Sequence, residues 1–299
     1  MVRKVVVVIS VLITGFLTYY FFVKSYDYLI TIKAKTSVGT VNQSIKLWNG
    51  NLDSATLLTQ NTLNNLTQQI TINDSIHLYD WNIKSLNDSI SVINVYIKDI
   101  NNSFFNKITI PFGHTNFEKR VTRTVIDFSN KLTEHLSKIK VRVQGIASTP
   151  QTYCAYVSMT GLQIEKARGM MKNYTFLSNF LYEGHVEMNG TPFIEISRWN
   201  KEKDSINYNF CFPIIKSDSL PKHHLISYKQ QESVKALKAT YNGNYITSDR
   251  AWYALLEHAE RNAIKVNETP IEVFYNNPNF GGDELQWNAE IFMPLIDQE

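Results

Sequence analysis

The sequence predicts an α+β protein. It should carry an N-terminal transmembrane helix, then a domain pairing a sheet with a long helix, then a domain in which one β-α-β-β unit occurs twice. Three observations carry that prediction. Residues 5–23, VVVVISVLITGFLTYYFFV, hold no charge. A stretch near the middle of the chain keeps one apolar face at helical spacing for about six turns. Two segments of the C-terminal half also read alike, PFIEISRWNKEKDSINYNFCFPI at 192–214 and PIEVFYNNPNFGGDELQWNAEIFMPL at 270–295. Each opens on Pro and a strand-like run containing Glu, turns through polar residues, and closes on an aromatic strand ending in Pro and an aliphatic residue. An amphipathic helical stretch precedes each, at 162–183 and 248–264, and a short strand precedes each helix.

The apolar run comes first. At about 1.5 Å per residue its length matches a bilayer core of roughly 30 Å. Tyr19 and Tyr20 sit near one end, where aromatic rings favour the interface. A cleaved signal peptide is the alternative, but this run is longer than the usual apolar region and no small-x-small site follows. Arg3 and Lys4 favour a cytoplasmic N-terminus and an exported, periplasmic body, against which Lys24, Lys33 and Lys35 weigh. Residues 1–24 are therefore read as a cytoplasmic tip and a single-pass anchor whose partner is the lipid bilayer.

A domain over 25–146 follows. Residues 28–35 alternate as a strand, and a helix over 39–49 carries Val41, Ile45 and Trp48. Residues 50–64 are polar and weakly patterned. Strands are expected at 65–73, 76–85 and 89–99, with a hairpin turn through Ser85, Leu86, Asn87 and Asp88. Residues 100–114, with Pro111 and Gly113, read as a loop. Thr115 and Glu118 then fit a capping box, each side chain satisfying a free backbone N–H. Phe117, Val121, Val125, Phe128, Leu132 and Leu136 form the apolar face of the helix that follows. A short strand at 140–145 and a linker over 147–151 close the domain. Strands under one long final helix describe a helix-grip arrangement.

The last domain spans 152–299, with repeats at about 152–215 and 230–296. Its first unit is a strand at 153–158, a helix ended by Gly184, and strands at 192–199 and 206–213. The second is a strand at 232–240, a helix from Ser248 with Trp252, Leu255, Leu256, Ala259 and Ala263 on its apolar face, and strands at 270–276 and 285–293. Paired units of this kind join their sheets and leave a groove where they meet, and such grooves bind small molecules.

Strand alternation assigns faces. Glu272 and Phe274 share one face. Asn288, Glu290 and Phe292 share another, opposite Trp287, Ala289, Ile291 and Met293. Phe193, Glu195, Ser197 and Trp199 lie opposite Ile194 and Ile196. The aliphatic faces should cover the helices, and a carboxylate left among aromatics suits a cationic or polar aromatic ligand. Aligning Pro213 with Pro294 puts Asn209 at the position of Glu290, so any pocket has its acid on one side. Ligand-binding candidates are Glu290, Glu272, Phe274, Phe292, Glu195, Trp199 and Tyr245. Glu290 could equally be an ion-paired or solvated sheet residue, that reading is preferred for Glu272 and Glu195, and Trp252 reads as core.

The residues 238–262, KATYNGNYITSDRAWYALLEHAERN, with PIEVFYNNPN and ELQWNAEIFMPL, resemble the gyrase-inhibitor-like (GyrI-like) effector-binding domain, which also ends AraC- and MerR-type multidrug regulators. Gly243 and Tyr245, Glu272 and Tyr275, and Glu290 and Pro294 take the family's motif places with small departures in spacing. The family's pocket acid maps onto Glu290. Residues 27–145, with YLITIKAKTSVGTVNQSIKLWN and YDWNIKSLNDSISVINVYIKDI, resemble the START-like polyketide cyclase/dehydrase (SRPBCC) superfamily, chiefly in element order. The family's regulators carry a helix-turn-helix ahead of the effector domain. Here that place holds the apolar run and the helix-grip domain. A transcription-regulator label would then reflect ancestry of the fold alone.

The resemblance implies binding of a small hydrophobic or cationic ligand without turnover. The alternative it carries is a hydrolase or cyclase using a pocket Glu and Tyr, here Glu290 with Tyr245 or Tyr275. Thirty Lys and Arg against 27 Asp and Glu, a net charge of +3 with no basic block, give no support to nucleic-acid binding. The histidines lack ligand spacing, and none is placed to hold haem, so neither a metal nor a cofactor is expected. Cys154 and Cys211, both on expected strands, read as small buried apolar residues rather than a disulfide.

Overall fold

A computed structural model describes residues 2–72, 74–87 and 90–296. Asp88 of the expected turn, and the outer ends of the expected strands 65–73 and 89–99 at residues 73 and 89, lie outside the described residues, as do the last three of the chain. The chain forms two compact units, one taking most of the residues up to 133 and the other those from 134 on.

The first unit opens with α1 (Val2–Thr18), which continues through a π-helical turn at Tyr19–Val23. Together they make a 22-residue helix with no buried residue, whose most apolar 18 residues have a mean hydropathy of 2.3, long and apolar enough to cross a membrane. Behind it come β1 (Tyr28–Ala34), α2 (Val38–Gly50), β2 (Ala55–Thr62), β3 (Asn65–Ile72), β4 (Ser75–Asn87), β5 (Ile90–Asp99), α3 (Ser103–Thr109) and α4 (Asn116–Ser137). The five strands form one sheet in the order β1-β5-β4-β3-β2.

The capping box forms at the start of α4. The Thr115 N–H donates to Glu118 Oε2 at 2.8 Å and the Glu118 N–H donates to Thr115 Oγ1 at 3.1 Å. Phe117, Val121, Val125, Phe128 and Leu132 are buried along one stripe. They share the core with Val41, Ile45 and Trp48 of α2 and with alternate residues of β4 and β5: Tyr79, Trp81 and Ile83, then Ile93, Val95 and Ile97. Trp81 packs edge-on against Phe128 at 4.9 Å and against Trp48 at 6.1 Å. Each buried indole finds an acceptor, Trp48 on Asp127 at 2.8 Å and Trp81 on Gln68 at 3.0 Å.

Two elements depart from the sequence expectation. The polar stretch 50–64 contains β2, an edge strand with two register irregularities against β3. An edge strand with water on its free side needs no hydrophobic alternation. The expected loop 100–114 contains α3, which escapes notice because Phe104 and Phe105 face outward rather than into a core.

The second unit holds β6 (Lys140–Ser148), β7 (Thr152–Leu162), α5 (Lys166–Glu183), β8 (Phe193–Asn200), β9 (Ser205–Pro213), β10 (Ser227–Gln231), β11 (Lys235–Asn242), α6 (Arg250–Arg261), β12 (Ile271–Phe274) and β13 (Asn288–Pro294). The strands make one sheet in the order β10-β7-β9-β8-β12-β13-β11-β6. A β-α-β-β order thus runs over β7-α5-β8-β9 and over β11-α6-β12-β13, with β8 against β12 in mid-sheet. The expected strand 140–145 is longer, running through part of the expected linker as β6. It pairs with β11 in this sheet, bulging where Gly145 takes a φ of 97°.

One face of the sheet buries Ile194, Ile196, Phe210, Leu237, Ala239, Ile291 and Met293 against Leu177 and Leu181 of α5 and Trp252, Leu255 and Ala259 of α6. The other face holds a smaller buried cluster of Cys154, Phe193, Cys211, Ala236, Ile271, Val273 and Phe292. Both cysteines are free and buried. Gly169 in α5 lets the helix approach β9: a Cβ there would stand 2.1 Å from the Tyr208 hydroxyl.

Candidate functional site

Alternation places β13 as expected. Ala289, Ile291 and Met293 face the helices, and Glu290 and Phe292 face away from them. On that far face the carboxylates are paired. Glu290 Oε1 lies 2.6 Å from Lys238 Nζ, and its Oε2 accepts a hydrogen bond from the Tyr275 hydroxyl at 3.0 Å. Glu195 is ion-paired with Lys229 and accepts a hydrogen bond from Asn209 Nδ2 at 2.9 Å. Phe292 is buried, with Lys238 Nζ 5.3 Å from its ring centre.

Two expected placements are corrected. The aliphatic residues of β12 do not cover the helices. Ile271 and Val273 join the far-face cluster, while Glu272 and Phe274 turn to the helix side, all four being buried. A short mid-sheet strand covered on both faces carries no polar face to orient it. Trp199 also leaves the face of Phe193 and Glu195. The register of β8 against β9 shifts between Ile196 and Arg198, and such a bulge breaks the two-residue alternation. The Trp199 indole then donates to Gln163 Oε1 at 2.8 Å and packs on Trp252 at 5.1 Å.

A cavity of about 350 Å³ opens on the helix side of the second unit. Its walls come from α5 (Ala167, Met170, Met171, Tyr174), from residues 190–192 ahead of β8, from 244–246 ahead of α6, and from the end of β12 and the loop behind it (Phe274 through Asn279), with Phe210 and Trp287. Tyr245, Phe274 and Trp287 form an aromatic corner, with ring centres 4.8 and 5.7 Å from that of Tyr245. Gly243, at φ 141°, turns the chain out of β11, and Asn244 Oδ1 accepts from the Ile246 N–H at 3.0 Å to start the turn carrying Tyr245. The Tyr245 hydroxyl donates to the Asn288 carbonyl at 2.8 Å and accepts from the Asn276 N–H at 3.2 Å. Burial pushes its phenol up to about 12, so it stays neutral.

Of the predicted site residues, Tyr245, Phe274 and Tyr275 line this cavity; Glu290, Glu272, Phe292, Glu195 and Trp199 do not. No charged side chain lines it. Its polar side chains are the amides of Asn244, Asn276, Asn277 and Asn279 and the hydroxyl-bearing Thr191, Tyr174, Tyr245 and Tyr275. A second cavity of about 250 Å³ shares Gly190, Thr191 and Tyr275 with the first and is otherwise lined by residues such as Phe193, Ile271 and Val273 from the far face. Glu290 lines neither. The general-base role considered for it has no substrate space beside it in either cavity, and its carboxylate already holds Lys238.

Sequence reasoning missed a buried polar cluster beneath the starts of α5 and α6. Lys166 Nζ donates to the carbonyls of Tyr245 at 3.2 Å and Ile246 at 3.4 Å, fixing from behind the turn that faces the cavity. Glu272 Oε2 accepts from Ser248 Oγ at 2.5 Å. Asp249 pairs with Arg250 at 2.8 Å and accepts from Gln163, which also donates to the Tyr253 hydroxyl at 3.0 Å. Burial raises the Glu272 carboxyl; the Lys166 ammonium and the Ser248 hydroxyl pull it back in part. A signal was present: Lys166 and Arg250 each open a helix, the end where the helix dipole disfavours a cation. Among the described residues no group of three or more His, Cys, Asp or Glu is placed to hold a metal ion.

No protein-family model matches the chain, and no curated protein matches it. Solved structures do. The EcmrR C-terminal domain is 11% identical, covers 54% of this chain and 99% of its own, and gives a TM-score of 0.44. The structure of SAV2435 bound to tetraphenylphosphonium is 10% identical over 52% of this chain and 94% of its own, at 0.36. A hydrolase encoded by lin2189 from Listeria innocua is 9% identical over 53% and 92%, at 0.32.

Proposed function

We propose that the second unit is a binding module for a small, largely apolar molecule, carried on a chain that α1 tethers to a membrane. The cavity carries this reading. It is walled by Met170, Tyr174, Tyr245, Phe274 and Trp287, with asparagine amides at its edge, and its volume lies within the range of small-molecule sites. A neutral aromatic or a diffuse organic cation suits such walls. The rings offer their faces to a cation, and no carboxylate in the lining demands one. The sequence resemblance to effector-binding domains supports the same reading. On this view the two β-α-β-β runs are copies of one module joined through β8 and β12, and the first unit is a helix-grip domain of the START-like kind. Binding is preferred to turnover because no acid–base pair faces the cavity.

The test uses the full chain in detergent with two probes of similar shape, tetraphenylphosphonium and neutral triphenylphosphine oxide. A ligand that binds the native state raises its stability, by about 2.7 kcal/mol at a hundred times its dissociation constant. Both probes are expected to raise the unfolding midpoint. Ile246 is 44% exposed at the cavity wall and tolerates change. Ile246→Asp should strengthen the cation and weaken the neutral probe. No shift with either probe, or shifts untouched by Ile246→Asp, would refute the site.

A further inference from the structure

The end of the apolar helix is joined to a second apolar surface. Phe104 and Phe105 on α3, and Phe112 in the 3-10 turn behind it, are 60%, 65% and 87% exposed, and Ile100 and Ile108 flank them. Three outward phenylalanines within nine residues are more than a scattered surface residue, and such patches mark contact with a partner or a membrane. The patch is held to the end of the helix by specific bonds. The Tyr20 hydroxyl donates to the Lys107 carbonyl at 3.0 Å. Lys107 is buried, and its ammonium donates to the carbonyls of Phe21 at 3.2 Å and Lys24 at 2.6 Å. A cation at a helix C-terminus also meets the favourable end of the dipole. Phe21 and Phe104 touch, with ring centres 5.4 Å apart. Lys24 Nζ lies 5.0 and 4.3 Å from the ring centres of Tyr20 and Tyr26, an aromatic-and-lysine girdle of the kind found at the boundary between lipid tails and water.

We propose that residues 100–112 form an interfacial foot: α3 and the turn behind it lie in the headgroup region and sink Phe104, Phe105 and Phe112 into the lipid around the end of the span. The inference rests on the tether reading. The occupant is lipid because the patch is continuous with the apolar helix through the Phe21–Phe104 contact. If that helix spans the bilayer, Phe104 stands at the level of its last turn. Rings at that depth bury their apolar faces without leaving the interface. Lys107 bonds the foot to the span, so the first unit is held at a fixed height rather than swinging on a loose stalk.

The experiment places an environment-sensitive fluorophore on single introduced cysteines of the full chain, both native cysteines being buried. The chain is reconstituted in phosphatidylcholine vesicles with and without brominated acyl chains. Phe112→Cys reports the foot and Leu12→Cys reports the span. Asn130→Cys is an exposed control on α4, about 14 residues or roughly 21 Å along the helix from its start. The labels at 12 and 112 should emit at shorter wavelength and lose at least half their intensity to brominated lipid, while the label at 130 is unaffected. Quenching at 12 but not at 112 overturns the foot and leaves the span. A label at 112 that is shielded from water yet unquenched assigns the patch to contact with protein, a second copy of the chain, and also overturns it. No quenching at 12 removes the tether reading and this inference with it.

Discussion

Glu272 is the residue whose chemistry departs furthest from its expected role. It was expected at a pocket and lies sealed beneath α6, bonded to Ser248. Its carboxyl is raised chiefly by burial, so folding favours the protonated form. A group raised on folding contributes stability that is fully present below its unfolded value, about 4.3 for Glu, and lost as pH rises through the folded value. Native stability should therefore carry a component that falls as pH rises above that range. Glu272→Gln removes the titration. Unfolding midpoints in urea, measured from about pH 4 to about pH 8, should show the variant gaining on the wild type as pH rises. A constant gap between the two across that window would mean Glu272 is not raised. At this scale the sequence was half legible. Of the named candidates Tyr245, Phe274 and Tyr275 line the cavity, and alternation put Glu290 on the face away from the helices. Nothing in the residues said which side of the sheet would be hollow, because that depends on how far α5 and the loop after β12 stand from it.

Elements were legible where a local rule and the core agree. The start of α4 was placed to the residue by its capping box, and five of the six apolar residues read from spacing are buried along it, Leu136 being half-buried. Thr115→Ala deletes one half of the box and should lower stability by about 1 kcal/mol, read as a shift in the unfolding midpoint. Thr115→Ser keeps the oxygen and should recover most of it. Equal losses in the two variants would show that the side-chain oxygen is not what holds the helix start. Elements were missed where the rule has nothing to act on. The edge strand β2 lacks alternation because its free side meets water, and α3 turns its phenylalanines outward. Trp199 was placed on the wrong face because a register shift after Ile196 breaks the period on which the reading relied. Short strands buried on both faces, such as β12, give no pattern from which to choose a side.

At the scale of the whole chain, the balance between charge and apolar length decides how the protein is held. A net charge of +3 spread over 299 residues gives little attraction to an anionic surface, and salt near 1 M shortens the screening length to about 3 Å. On the tether reading, a 22-residue helix with no buried residue and an 18-residue stretch of mean hydropathy 2.3 responds to neither salt nor modest charge, because apolar area sets its free energy in the bilayer. The expressed chain should therefore stay with the membrane pellet through washing in about 1 M salt and leave it only in detergent. Release by salt alone would mean attachment by charge, and recovery in the aqueous fraction without detergent would mean the apolar helix is removed or does not insert. The detergent extract carries the second half of the prediction. Every residue lining the larger cavity belongs to the second unit. The stabilisation by tetraphenylphosphonium should therefore be the same in micelles as in vesicles. A shift seen only in vesicles would show that the probe reports on lipid around the chain rather than on the cavity walled by Tyr245, Phe274 and Trp287.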